Sequence, residues 1–154
     1  MKIKFTIITV VKNDEKGIIK TMKSVLNQNF GNFEYIVVDG NSTDNTLTNI
    51  KKFKARKKIK LIKRKDISYY DSLNFAVKIS KGQYIGVLNS GDIFVNDNIL
   101  NKINNNIVKS TKIFYSNFVF IKNGKIVRIW HHKINKITGL NLFKIPHSTL
   151  FLSK

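Results

Sequence analysis

Two short polar segments of this sequence could do chemistry on an anionic ligand. The first starts at Asp39, in Asp39-Gly40-Asn41-Ser42-Thr43-Asp44, directly after the apolar run 33–38. A carboxylate there can accept hydrogen bonds from the base or ribose of a nucleoside, and it can equally close an Asx turn that caps the next helix. The second is Asn89-Ser90-Gly91-Asp92, again directly after an apolar stretch, 83–88. Gly91 permits close backbone approach, and Asp92 offers oxygen to a hard divalent cation that would bridge a diphosphate; a Ser-Gly-Asp turn is the simpler account. One carboxylate holds magnesium weakly, so substrate phosphates would have to supply other ligands. Asp71 and Asn74 lie within one helical turn and share a face that is either a ligand contact or merely solvated. His131, His132 and His147 are the only histidines and lack the spacing of a zinc site.

The elements that must carry these residues follow from periodicity. Residues 4–11 are a near-continuous β-branched run, as in a strand buried on both faces of a parallel sheet. Ile18, Ile19, Met22, Val25 and Leu26 recur at helical spacing, which predicts a helix over 15–28 capped by Asn13 or Asp14. A strand at 33–38 precedes a helix carrying Leu47, Ile50 and Phe53, capped by Ser42, Thr43 or Asp44. A strand at 58–63, a helix at 71–79 ended by Gly82 and a strand at 83–88 continue the alternation. The pattern predicts an α/β chain with a mainly parallel sheet and helices on both faces. Beyond residue 92 the rhythm changes to a helix over 98–108 and strands at 112–121 and 125–131, joined at the hairpin dipeptide Asn123-Gly124. Residues 1–154 are expected to form one domain, with a ligand-binding half at 1–92 and a smaller α+β part at 93–154. Ligands of such a sheet bind outside its carboxyl edge, at the loops starting at Val11, Asp39 and Asn89.

Composition excludes several alternatives. There is no cysteine, so disulfide frameworks and thiolate chemistry are absent. The apolar run 5–11 is too short for a membrane span and lacks a cleavage site, which points to a cytoplasmic protein. The formal charge of +19 suggests an anionic partner, but only Arg56, Arg64 and Arg128 are arginines among 28 basic residues. Bidentate recognition of bases and phosphates favours arginine, so nucleic acid is disfavoured and peripheral contact with an anionic membrane is retained.

Taken in order, Thr6-Ile-Ile-Thr-Val-Val-Lys-Asn13, Ser24-Val-Leu-Asn-Gln-Asn-Phe30, Phe33-Glu-Tyr-Ile-Val-Val-Asp-Gly-Asn-Ser-Thr-Asp-Asn-Thr46, Gly82-Gln-Tyr-Ile-Gly-Val-Leu-Asn-Ser-Gly-Asp92 and Pro146-His147 resemble the family 2 glycosyltransferases. The motifs span essentially the whole chain. The resemblance implies a GT-A fold and a nucleotide-diphosphate sugar donor, whether a UDP-, GDP- or dTDP-sugar. It also implies Mg²⁺ or Mn²⁺, and a glycan or lipid-linked acceptor in cell-surface polysaccharide or lipopolysaccharide biosynthesis. Carried over, Thr9, Val10, Val11 and Asn13 would line the nucleotide pocket. Asp39, Gly40 and Ser42 would meet the base or ribose; Asn89, Ser90 and Gly91 would contact the donor, and Asp92 would match the metal-binding end of the family's Asp-X-Asp motif. Asn89 replaces that motif's first acid. Asp71 and Asn74 are retained in a helix region that lacks the family's glycine.

Inverting transfer needs a general base, and the family draws it from an acidic residue beyond the Pro-His motif. No acid follows Asp97 here. The sequence is therefore expected to be truncated or to lack its base, with His147 as the substitute candidate. A GT-A-like binding or scaffold module docked on anionic membrane or on a partner enzyme is the alternative.

Overall fold

The structure, a computed structural model, describes residues 3–53, 59–65, 68–131 and 147–154. Strand β1 (Phe5–Val11) is buried along its whole length and lies between β2 (Phe33–Asp39) and β4 (Tyr84–Val87), both parallel to it. This position explains the unbroken apolar run: neither face of a central parallel strand meets water. Strand β3 (Ile59–Lys63) pairs in parallel outside β2. The other side of the sheet differs from a simple parallel array. Strand β8 (Leu150–Ser153) runs antiparallel beside β4, and β5 (Ile113–Tyr115) runs antiparallel beside β8, giving the order β3-β2-β1-β4-β8-β5.

Helices cover both faces. From α1 (Gly17–Leu26), α2 (Thr46–Lys52) and α4 (Ile99–Asn106), the residues Ile18, Met22, Val25, Ile50, Leu100 and Ile103 pack on Phe5, Ile7, Val11, Tyr35 and Val37. On the opposite face, α3 (Tyr69–Ile79) lays Ala76, Leu73 and Val77 over Ile8, Val10, Ile36 and Val38. Each fully buried Ile, Val or Met of these layers contributes about 1.5–3 kcal/mol relative to an exposed position.

Two elements depart from the sequence expectation. Helix α3 starts at Tyr69 rather than Asp71, because Ser68 and Asp71 form a reciprocal capping box. The strand expected over 112–121 is broken at Ser116-Asn117. Its first part, β5, joins the main sheet, and its second, β6 (Phe118–Lys122), pairs only with β7 (Lys125–Trp130). The Asn123-Gly124 turn does form, with φ of 50° and 73°, the left-handed pair that a two-residue hairpin requires. The start of the third strand at Lys58, together with Asp66, His132 and Pro146, lies outside the described residues.

The registers set Val11 opposite Asp39, and Ile8 opposite Val87. The carboxyl ends of β1, β2 and β4 therefore share one edge. The chain runs outward from β1 through β2 to β3 and then returns to the far side of β1 as β4, which makes the β1/β4 boundary a topological switch point.

The join between α3 and β4 depends on a missing side chain. A Cβ at Gly82 would stand 2.4 Å from Thr6 N and 2.6 Å from Phe5 C, both backbone atoms of the central strand. Gly82→Ala is expected to lower the unfolding free energy by roughly 1–3 kcal/mol through forced backbone displacement, read as a lower urea midpoint by circular dichroism. An unchanged midpoint would show that β1 and β4 do not approach each other this closely.

Candidate functional site

Asp39 ends β2 with its side chain fully buried. It shares its parity with Tyr35 and Val37, so it faces the α1 layer. One carboxylate oxygen, Oδ1, accepts from the Ser42 amide at 3.0 Å, the Asx turn that the sequence allowed. The other, Oδ2, is buried and, among the described residues, has no hydrogen-bond partner. Leaving such an acceptor without a donor costs about 1–3 kcal/mol or more, a cost that a ligand N–H or O–H would offset.

The loop after β1 is stitched to this segment. Asn13, in a left-handed conformation with φ 52°, donates its amide to Ser42 Oγ at 3.0 Å, and its side-chain oxygen accepts from Thr43 N at 2.8 Å. Gly40 N donates to Val11 O at 2.8 Å. The expected residues Asn13, Gly40 and Ser42 are thus brought together beside Asp39.

On the other side of β1, the Asn89–Asp92 loop is held against α1 by Thr21, whose hydroxyl donates to Asp92 O at 2.8 Å and accepts from Gly91 N at 2.9 Å. Ser90 Oγ donates to Asp14 Oδ2 at 2.6 Å. The side chains of Asn89 and Asp92 belong to one network whose proton directions are fixed by its end members. Asp92 Oδ2 can only accept, so Ser148 Oγ donates to it at 2.7 Å and takes a proton from Asn89 Nδ2 at 3.2 Å. Burial pushes the Tyr69 phenol pKa up, with Tyr70 and Asp92 adding in the same direction. The phenol therefore keeps its proton and donates to Asn89 Oδ1 at 2.9 Å. The remaining Nδ2 hydrogen faces His147 Nε2 at 2.8 Å, which places the ring proton on Nδ1.

This bookkeeping explains the asparagine at 89. The position must accept from Tyr69 while donating to Ser148 and His147, and a carboxylate cannot donate. His147 is exposed, and its Nε2 faces the Asn89 amide, so the histidine candidate stands beside this loop. Tyr69 and Ser148, which sequence reasoning missed, are the partners that complete this arrangement. The proline-histidine motif pointed to the Ser148 neighbourhood; nothing in the sequence marked Tyr69.

The side chains of several other expected residues are engaged within the protein. Thr9 is fully buried, accepts from the Tyr35 hydroxyl at 2.9 Å and donates to Leu88 O at 2.7 Å, so its side chain ties β1 to β2 and to the end of β4. Val10 and Val11 are buried in the two cores, one on each face of the sheet. Asp71 is exposed, and its Oδ2 accepts from Ser68 N at 3.0 Å and Ser68 Oγ at 2.8 Å, which makes it a helix-capping residue; Asn74 is exposed on the same helix.

Asp39 ends β2 and Asp92 follows β4, so the two segments flank β1 at the same sheet edge. No cluster of three or more His, Asp or Glu able to hold a metal exists among the described residues. The donor set therefore fits a cation shared with a ligand's phosphates, with Asp92 as its one protein carboxylate, and does not fit a metal held by protein alone. Beyond Asp92 a cavity of about 450 Å³ opens, with Lys20 and Ser148 at its polar end and Ile93, Phe94, Phe118 and Val119 among its apolar walls. Asp39 does not line it, so the two carboxylates look onto different surroundings.

Known proteins resemble this chain in sequence and in fold. The chain is 32% identical over 153 residues to the UDP-Glc:alpha-D-GlcNAc-diphosphoundecaprenol beta-1,3-glucosyltransferase WfaP of Escherichia coli, covering 97% of this chain and 60% of that protein. The crystal structure of S. aureus TarS 1-349 in complex with UDP-GlcNAc superposes with a TM-score of 0.63 and 29% identity, over 67% of this chain and 30% of that one. Mannosyltransferase PcManGT from Pyrobaculum calidifontis, in complex with GDP-Man and Mn²⁺, shares the fold at a TM-score of 0.65 and 17% identity, over 73% of this chain and 35% of that one. The fold is thus the GT-A arrangement that the motifs implied. A model of the family described as Glycosyl transferase family 2 matches residues 6–153, and the chain belongs to that family.

Proposed function

We propose that this chain binds a nucleotide-diphosphate sugar across the carboxyl ends of β2, β1 and β4, as the donor-binding part of a glycosyltransferase acting on a glycan or lipid-linked acceptor. The observation that carries the reading is Asp39 Oδ2, a buried acceptor without a donor among the described residues. A nucleoside base N–H or ribose O–H supplies that donor once the 40–43 loop gives way to admit it. Support comes also from WfaP, whose name specifies UDP-Glc, and from TarS, which was solved with UDP-GlcNAc.

In this reading Asp92 presents its oxygen toward the diphosphate, held in place by Ser148. A divalent cation, Mg²⁺ or Mn²⁺, would neutralise the charge that grows on the diphosphate as the sugar leaves. Transfer joins the acceptor hydroxyl oxygen to the anomeric carbon, breaks the bond from that carbon to the diphosphate oxygen, and passes the hydroxyl proton to a base. Among the described residues His147 is the candidate base, and its Nε2 would have to exchange the Asn89 amide for the acceptor hydroxyl. Lys20 lines the same cavity as Asp92 and brings a cationic group to its wall.

Titration calorimetry with UDP, GDP and dTDP in the presence of Mn²⁺ is expected to show binding of one of them, and a folded protein that binds none overturns the proposal. Asp39→Asn keeps the acceptor for Ser42 but sets an amide N–H against the ligand's donor, so affinity should fall roughly 10- to 100-fold, the value of a hydrogen bond to a charged group. Asp92→Asn should abolish the Mn²⁺-dependent part of that affinity while leaving any metal-independent part in place.

Asn89→Asp is nearly isosteric and tests the proton directions. It places an acceptor against Ser148 Oγ and His147 Nε2, so Asp92 loses its ordered support and Mn²⁺-dependent nucleotide affinity should fall roughly tenfold, the worth of an outer-shell partner. Equal affinity in both proteins would show that the amide's donors are not needed.

A further inference from the structure

The β6–β7 hairpin lies outside the six-stranded sheet, and every residue of β7 is exposed. A two-stranded sheet is marginal in water unless a face is covered. Here Ile121, Ile126, Val127 and Ile129 are left 49%, 61%, 61% and 44% exposed. The register pairs Ile121 with Ile126 and Val119 with Ile129, so one face is aliphatic. Cations are interleaved with these residues. Lys122 and Lys125 oppose each other beside the turn, a like-charge pair that weakens a hairpin in isolation, and Arg128 lies over the Phe120 and Trp130 rings at 5.8 and 5.7 Å. No acid follows Asp97 in the sequence to offset them.

We propose that this hairpin docks the protein on an anionic lipid bilayer. The aliphatic face enters the acyl boundary while the lysines reach the phosphates, which relieves both the exposed apolar area and the repulsion at the turn. The chemistry selects this partner over others. A second copy would bring the same lysine pair and the same net charge of +19. Branched aliphatic side chains offer no stacking platform to nucleic acid bases. Strand β6 also lines the cavity that reaches Asp92, so docking would bring the mouth of that cavity to the lipid surface. The docking surface stands independently of the nucleotide site; only its use to a lipid-linked acceptor rests on the proposed function.

The test is flotation of the full chain with phosphatidylcholine vesicles, with and without phosphatidylglycerol. Flotation is expected only with phosphatidylglycerol, and it should weaken with salt. Ile126→Ser with Ile129→Ser, both on the aliphatic face, should lower the bound fraction, and Lys122→Gln with Lys125→Gln should weaken binding roughly tenfold. Both variants should retain the circular dichroism spectrum and nucleotide affinity of the parent. Flotation undiminished in either variant assigns binding to the remaining cationic surface and overturns the proposal. So does a dimer, seen by light scattering, that the variants abolish without any vesicle binding. Docking that persists in a protein unable to bind nucleotide sinks the nucleotide reading alone.

Discussion

Three loops from three adjacent strands meet at Asp14, and the arrangement of the site depends on that meeting. The Asp14 amide donates to Thr46 Oγ1 at 2.9 Å, which ties the β1–α1 loop to the start of α2. Its Oδ1 accepts from Gly17 N at 2.9 Å and sets the start of α1, while Oδ2 accepts from Ser90 Oγ at 2.6 Å and draws in the loop after β4. A carboxylate can do this because its two oxygens offer about four acceptor directions. The sheet fixes where strands end but not how their loops lean. Asn13 fastens the Asp39 segment and Thr21 the Asp92 segment, and Asp14 joins the two sets of contacts through one side chain.

The separation between what the sequence showed and what it hid follows the range of the interactions. Strands β1 and β2 were legible because burial on both faces leaves an unbroken apolar run, and α1 because Ile18, Met22 and Val25 repeat at helical spacing. Asp39 and Asp92 were legible as strand-end positions by the same logic. Asp14 was visible only as a helix cap, since its contact with Ser90 spans 76 residues. Strand β8 escaped notice because four residues carry almost no period, and its place between β4 and β5 is decided by pairing alone. The break at Ser116-Asn117 has the same origin: Ser116 N donates to Thr149 O at 3.2 Å, a contact with a distant segment that splits an otherwise continuous apolar run. The start of α3 was misplaced for a local reason: Asp71 was read as the first helical residue, whereas it closes a capping box with Ser68 three residues earlier.

The two carboxylates differ in a way that matches two different demands. Asp39 is wholly buried, with one oxygen given to a backbone amide and the other withheld from every described donor. Such a group recognises a neutral donor, because a fixed direction and a dry surrounding make the missing hydrogen bond costly. Asp92 is only half-buried, and among the described residues the one side-chain bond on its carboxylate comes from Ser148. Among those residues no cation is in direct contact with it, and under the proposed function a carboxylate so placed would favour a cation that can shed part of its shell to phosphate. The Asn89 amide keeps these demands apart. Because it donates toward Ser148 and His147, the proton on Ser148 must point to Asp92 and cannot turn toward the loop. The orientation of the Asp92 carboxylate is thus set two hydrogen bonds away, by the amide at position 89.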